Sequence, residues 1–146
     1  MTLEEKIAML VGSGPSSFKG IPRLGIADVR CSDGPRGPHS ASNNTAFSCG
    51  VSFGATWNPK LIEQASNARA KECKLSNVGV LLGPGINILR DPLGGRFFEY
   101  YSEDPYLTAQ ITTKYVTGFQ SQKVAIDLKH FACNNRESNR RFNGSV

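Results

Sequence analysis

Apolar residues at Leu3, Ile7, Leu10 and Val11 fall on one helical stripe, and Thr2 followed three residues later by Glu5 has the form of a capping box. A first helix is therefore expected to start at Thr2. Residues 12–20 are rich in Gly, Ser and Pro and read as a loop. Within residues 21–32, Val29-Arg30-Cys31 has the look of a short strand, stopped by Asp33-Gly34-Pro35. Polar loop follows over residues 36–45. Asn58-Pro59 is a strong helix start, because Asn suits the N-cap and Pro the first helical position, where no amide donor is needed. Leu61, Ala65, Ala68 and Cys73 continue that helix to about Lys74. The unbroken apolar run at 78–82, ended by Gly83-Pro84-Gly85, fits a fully buried parallel strand. Ser102, Asp104 and Pro105 open another helix, with Leu107, Ile111, Tyr115 and Gly118 along one face. A last strand at 124–128 leads straight into Lys129-His130.

Strand, helix, strand, helix, strand argues for a parallel sheet with crossover helices. The polar and unusual residues gather just after the strand ends, at Asp33, at 90–96 and at 129–135. In open α/β sheets and in barrels, ligand sites lie at those carboxyl ends.

Composition narrows the class further. At 146 residues, 39% hydrophobic and 20% charged, the chain is the size and make-up of one globular domain. No apolar run is long enough to span a membrane. The first ten residues lack the positive end and apolar run of a secretion signal, so a cytoplasmic protein is expected, with an exported parent that has lost its leader as the alternative. The net charge of +5 is partly concentrated late: Lys123, Lys129, Arg136, Arg140 and Arg141 stand against Asp127 and Glu137. That segment has few aromatics, so a nucleic-acid partner is not expected. Cys31, Cys49, Cys73 and Cys133 are scattered without a C-x-x-C pair, indicating neither a metal site nor a disulfide framework; buried thiols are expected. No cofactor is implied. Gly83-Pro84-Gly85 is a poor nucleotide loop, since Pro84 removes a needed amide and no helix follows promptly.

Taken in order, Ser32-Asp33-Gly34-Pro35, LLGPGINILRDPLGGR (81–96), FEYYSEDPYL (98–107) and LKHFACNN (128–135) resemble the front of a glycoside hydrolase family 3 protein. PRLGI (22–26) and ATWNP (55–59) fit as well, so the resemblance covers nearly the whole chain. It implies an α/β fold: a partial (β/α)8 TIM-like barrel, comprising about the first three strand-helix units, with residues 1–146 as the N-terminal part of the barrel domain. It also implies a retaining glycosidase that cleaves O-glycosidic bonds at the nonreducing end of β-glucosides or related sugars. Such an enzyme needs two carboxyl groups about 5 Å apart, and a whole barrel takes about 250 residues. The aspartate nucleophile and glutamate acid/base are accordingly expected beyond Val146, in the missing barrel half and second domain. The chain alone is expected to be inactive.

The resemblance maps carbohydrate-binding roles onto Asp33, Arg96, Lys129, His130 and Arg140. An ionised carboxylate at Asp33 can accept from a vicinal pair of hydroxyls, and the fixed fork of Arg96 suits hydroxyls or neighbouring acids. Each has a plainer reading: Asp-Gly-Pro is commonly a turn, Arg96 could be a surface ion pair, and Lys129-His130 an ordinary strand end. Glu99 is read as orienting Arg96, Glu103 as a helix-start acid, and Asp127 as an inward-facing partner of Lys129. Phe97 departs from the asparagine or small residue many members carry. Ala132-Cys133 departs from the Pro-Gly-His continuation of the bacterial N-acetylglucosaminidases and favours the β-glucosidase or xylosidase type. The competing reading is a degenerate, nonhydrolytic carbohydrate-binding fragment.

Overall fold

The computed structural model describes residues 1–39 and 43–141. Helix α1 (Leu3–Met9) is closed by the expected capping box: the Glu5 amide donates to Thr2 Oγ1 at 3.2 Å, and the Thr2 amide to Glu5 Oε2 at 2.7 Å. Its apolar stripe, however, lies open, with none of its residues buried.

The segment read as a plain loop contains a small hairpin instead. Strands β1 (Gly12–Gly14) and β2 (Ser17–Phe18) pair antiparallel, and β2 pairs antiparallel with β3 (Val29–Asp33). With only two or three residues each, these strands carry no alternating pattern for sequence to reveal.

From β3 onward the sheet is parallel. Helix α2 (Gly50–Ala55) precedes helix α3 (Pro59–Leu75), which crosses over to strand β4 (Val80–Gly85); helix α4 (Pro105–Gln120) then crosses over to strand β5 (Ala125–Lys129). The sheet order is β1-β2-β3-β4-β5. Three neighbouring parallel strands joined by two helices are the expected barrel slice. Asn58 and Asp104 cap α3 and α4 through their side-chain oxygens, each with Pro at the first helical position.

Register decides which residues face the helices. Ser32 pairs with Leu81 and Leu81 with Ile126; Leu81 is buried with Ile62, Ala70, Cys73, Ile111, Tyr115 and Phe119 beneath α3 and α4, and Ile126 packs against them. Each fully buried Leu, Ile or Phe among them contributes about 1.5–3 kcal/mol. By strand alternation, Cys31 and Asp33, and likewise Asp127 and Lys129, fall on the opposite face.

The buried face of α3 is offset from the sequence reading: Ile62, Ser66, Arg69, Ala70 and Cys73 are buried, while Leu61 and Ala68 are exposed. Arg69 is the surprise at 1% exposure. Its guanidinium lies over the rings of Phe47, Phe53 and Tyr115, and one nitrogen donates to the Pro35 carbonyl at 2.5 Å and the Tyr115 hydroxyl at 3.0 Å. The cysteines also divide. All four are free thiols; Cys31 and Cys73 are buried, Cys49 is half-buried and Cys133 is exposed. Burial pushes the Cys73 thiol up to about 11.

Helix α2, absent from the sequence reading, presses on the backbone of residues 99–101. A Cβ at Gly50 would stand 2.2 Å from the Glu99 carbonyl oxygen, and one at Gly54 2.0 Å from that of Tyr101. Only glycine permits this approach, and it fixes the segment that carries Glu99 and Tyr100.

Candidate carbohydrate-binding site

The carboxyl ends of β3 and β5 both flank β4. At ordinary strand spacing their side chains are about 10 Å apart at the backbone, a span a lysine and an aspartate can close. They do so here: Lys129 Nζ donates to Asp33 Oδ1 at 2.6 Å. The same ammonium lies 3.9 Å from Glu99 Oε2. Glu99, 8% exposed on a 3-10 turn (Phe97–Glu99), accepts a two-pronged grip from Arg96, at 2.5 Å from Nε and 2.8 Å from a terminal nitrogen. Asp33, Lys129, Glu99 and Arg96 thus form an alternating chain of charge.

This chain lines a cleft of about 220 Å³, together with Pro35, Arg36, His39 and Phe98. Burial works to raise the Asp33 carboxyl. The Lys129 ammonium, the Gly34 amide and His39 outweigh it and hold the group below the usual carboxylate range. Asp33 therefore stands ionised with oxygen lone pairs facing a cleft, which is what hydroxyl recognition requires.

His130 follows Lys129 directly but is held by other means. The Asn87 side-chain amide accepts from the His130 backbone N–H at 2.9 Å and donates to its carbonyl at 3.1 Å. The ring nitrogen Nδ1 lies 2.9 Å from the Tyr100 hydroxyl, with the two rings edge to face. Burial, then the Arg96 and Lys129 cations, lower the imidazole from its usual value against the opposing pull of Glu99 and Glu137. The ring is accordingly neutral at pH 7.

His130 and Arg140 are not among the residues that line the cleft. Arg140 is exposed and pairs with Glu137 at 3.0 Å. Its link to the site is indirect, through Glu137 to Asn134 at 3.1 Å and Asn134 to the Tyr100 hydroxyl at 3.1 Å. Asp127 also departs from its expected role, for Lys129 spends its charge on Asp33 and Glu99. The expectation for Glu99 holds, since both of its oxygens are engaged by Arg96. Tyr100, Asn134, Glu137 and Asn87 lie inside or beside the motifs that carried the resemblance. Tyr100 and Asn87 meet partners distant in sequence, so no local pattern announced their roles, whereas Glu137 bonds Asn134 and Arg140 at spacings of three.

Residues 15–141 match the N-terminal domain of glycosyl hydrolase family 3. The chain belongs to this family. Among curated glycosyl hydrolase family 3 relatives, the thermostable β-glucosidase B of Acetivibrio thermocellus is 41% identical over 96% of this chain and 20% of its own length. The exo-α-(1→6)-L-arabinopyranosidase of Bifidobacterium breve is 40% identical with the same coverages. The crystal structure of the Bifidobacterium adolescentis GH3 β-glucosidase superimposes with a TM-score of 0.91 at 45% identity, over 96% of this chain and 21% of that one. The chain therefore spans about a fifth of the length of the family 3 relatives it matches.

Proposed function

We propose that this chain is the hydroxyl-gripping part of a retaining family 3 glycosidase acting at the nonreducing end of β-glucosides or related sugars. The observation that carries the reading is the Asp33–Lys129–Glu99–Arg96 charge chain lining a cleft at the carboxyl ends of parallel strands. Asp33 and Lys129 supply an acceptor and a donor to neighbouring ring hydroxyls, while Glu99 holds Arg96 and Lys129 at fixed spacing. Charge-assisted bonds of this kind accelerate hydrolysis when they tighten as the ring flattens toward the transition state.

Neither cleft carboxylate suits the bond-breaking step. Glu99 is tied on both oxygens by Arg96, and Asp33 is paired with Lys129. On this reading the nucleophile and acid/base come from residues outside these 146. The glycone follows less narrowly, since relatives of equal similarity carry β-glucosidase and arabinopyranosidase names.

The test compares the complete protein containing this chain with the 146 residues alone, on nitrophenyl β-glucoside, β-xyloside and α-arabinopyranoside. Hydrolysis by the complete protein, abolished or cut at least about a hundredfold by Asp33→Ala, is expected on the scale of losing charge-assisted bonds. The isolated chain should hydrolyse none of them. Activity in the isolated chain, or an Asp33→Ala enzyme as fast as the parent, would sink the reading.

A further inference from the structure

The hydrogen-bond accounting around Tyr100 leads past the grip itself. Glu137, an ion-paired carboxylate, can only accept, so the Asn134 side-chain atom 3.1 Å from it is the amide nitrogen. That same nitrogen lies 3.1 Å from the Tyr100 hydroxyl, which it reaches with its second hydrogen. The Tyr100 oxygen is thereby an acceptor toward Asn134, and its own proton is left for another group. The remaining contact is His130 Nδ1 at 2.9 Å. With the hydroxyl donating, every hydrogen in the row Asn134–Tyr100–His130 is used. With the opposite tautomer, Nδ1–H would donate to Tyr100, and the hydroxyl proton would be stranded on a residue that is 0% exposed.

We propose that Tyr100 is a positioning residue that fixes His130 as the Nε2–H tautomer, so that the outer ring nitrogen is a preset donor to a substrate hydroxyl. The geometry of imidazole supports the outward role. Nε2 points away from the nitrogen that meets Tyr100, and among the described residues it has no hydrogen-bond partner. The backbone on which the ring turns is pinned separately by Asn87, while the ring itself meets Tyr100. The Tyr100 ring has a seat made for it, because a Cβ on Gly85 would stand 2.8 Å from two of its carbons. Glu137 in turn orients Asn134, and exposed Arg140 pairs with Glu137, which links it to this row. The tautomer is a property of this chain; its use toward a sugar rests on the glycosidase reading.

The two halves are tested separately. The chain holds two histidines, His39 and His130, so ¹⁵N-histidine labelling resolves both rings by long-range nitrogen–proton correlation. At neutral pH, His130 should show a bare Nδ1 and a protonated Nε2. Tyr100→Phe should move it toward the mixture of an unconstrained histidine. Asn134→Leu, which alters no atom touching the ring, should do so partially by releasing the hydroxyl lone pair. His39 serves as the internal control. A protonated Nδ1 in the unmodified chain, or a His130 spectrum that Tyr100→Phe leaves unchanged, overturns the proposal whether or not any sugar is hydrolysed. In the complete protein, Tyr100→Phe should lower kcat/KM about tenfold, the scale of one hydrogen bond, and should add nothing further in a His130→Ala background. Full additivity there would deny the route through His130. A complete protein without hydrolysis would remove only the sugar half.

Discussion

Lys129 Nζ meets Asp33 Oδ1 at 2.6 Å, joining the ends of two strands that are not neighbours in the sheet. Because Lys129 also faces Glu99, it separates two carboxylates that would otherwise repel across the cleft. Lys129→Met should raise the Asp33 carboxyl from its depressed position, toward or above the ordinary carboxylate value, since burial would then act unopposed by the ammonium. A ¹³C titration of the Asp33 carboxyl reads this directly. In the complete protein the same change should weaken sugar binding by about ten- to a hundredfold, as expected for losing a charged hydrogen-bond donor. An Asp33 titration identical in both proteins would show that the pair does not hold in solution.

Acid should weaken the fold in two stages. His130 and Asp33 both bind protons less readily folded than unfolded, so stability falls wherever the unfolded chain takes up protons first. The His130 contribution is complete above its unfolded value of about 6.5 and is lost as pH falls through its lower folded value. The Asp33 contribution is complete above about 3.9 and is lost at still lower pH. Melting midpoints across this range should decline on acidification, and His130→Gln should flatten the upper stage while leaving the lower one. A midpoint that rises between neutral and mildly acidic pH in the native chain but not in His130→Gln would contradict the assignment.

Arg69→Met separates two roles of one side chain. Among the described residues no carboxylate lies within ion-pairing distance of Arg69, and its Nε is buried without a partner. Removing a buried cation that has no carboxylate partner offsets the loss of its bonds to Pro35 and Tyr115, so global stability should shift by no more than about 1.5 kcal/mol. Arg69→Ala adds a cavity and should cost about 2–5 kcal/mol. In both, the turn beside Asp33 loses its anchor. Hydrogen exchange at the Gly37 and His39 amides, which bond within that turn, should accelerate even where the Met variant melts normally. Unchanged exchange in Arg69→Met would refute the anchoring.

Gly85→Ala tests the seat of Tyr100. The added methyl would meet two ring carbons at 2.8 Å and the Glu99 carbonyl at 3.2 Å. Displacing a packed ring costs about 1–3 kcal/mol by the usual scale of overpacking. The His130 ring signals should shift as they do in Tyr100→Phe. Urea unfolding measures the first effect and histidine spectra the second. Native stability with an unperturbed His130 would show that the ring relaxes elsewhere.

The parts of the fold that sequence made legible are those with local causes. Asn58-Pro59 and Asp104-Pro105 mark helix starts through their own caps, and the strand ends at Asp33 and Lys129 are announced by turn residues and charge. Helix α2 escaped notice because two of its six residues are glycine, placed there for contact with residues 99–101. Arg69 reads as a surface residue in a helix, and only the aromatic cage from three other segments makes it a core one. In the site, the family motifs placed Asp33, Arg96 and Lys129 together. The Tyr100–His130 and Tyr100–Asn134 bonds depend on how separate segments meet, and the pairing of Arg140 with Glu137 is a contact the motifs alone did not single out.

The contact of Arg69 with the Pro35 carbonyl has a consequence for anyone altering this protein. The turn that presents Asp33 hangs from a guanidinium rooted in the helix layer, so the packing beneath the helices and the placement of the Asp33 carboxylate are not independent design variables here. A substitution at Phe47, Phe53 or Tyr115 chosen only to improve packing would shift the guanidinium, and with it the carboxylate on the far side of the sheet.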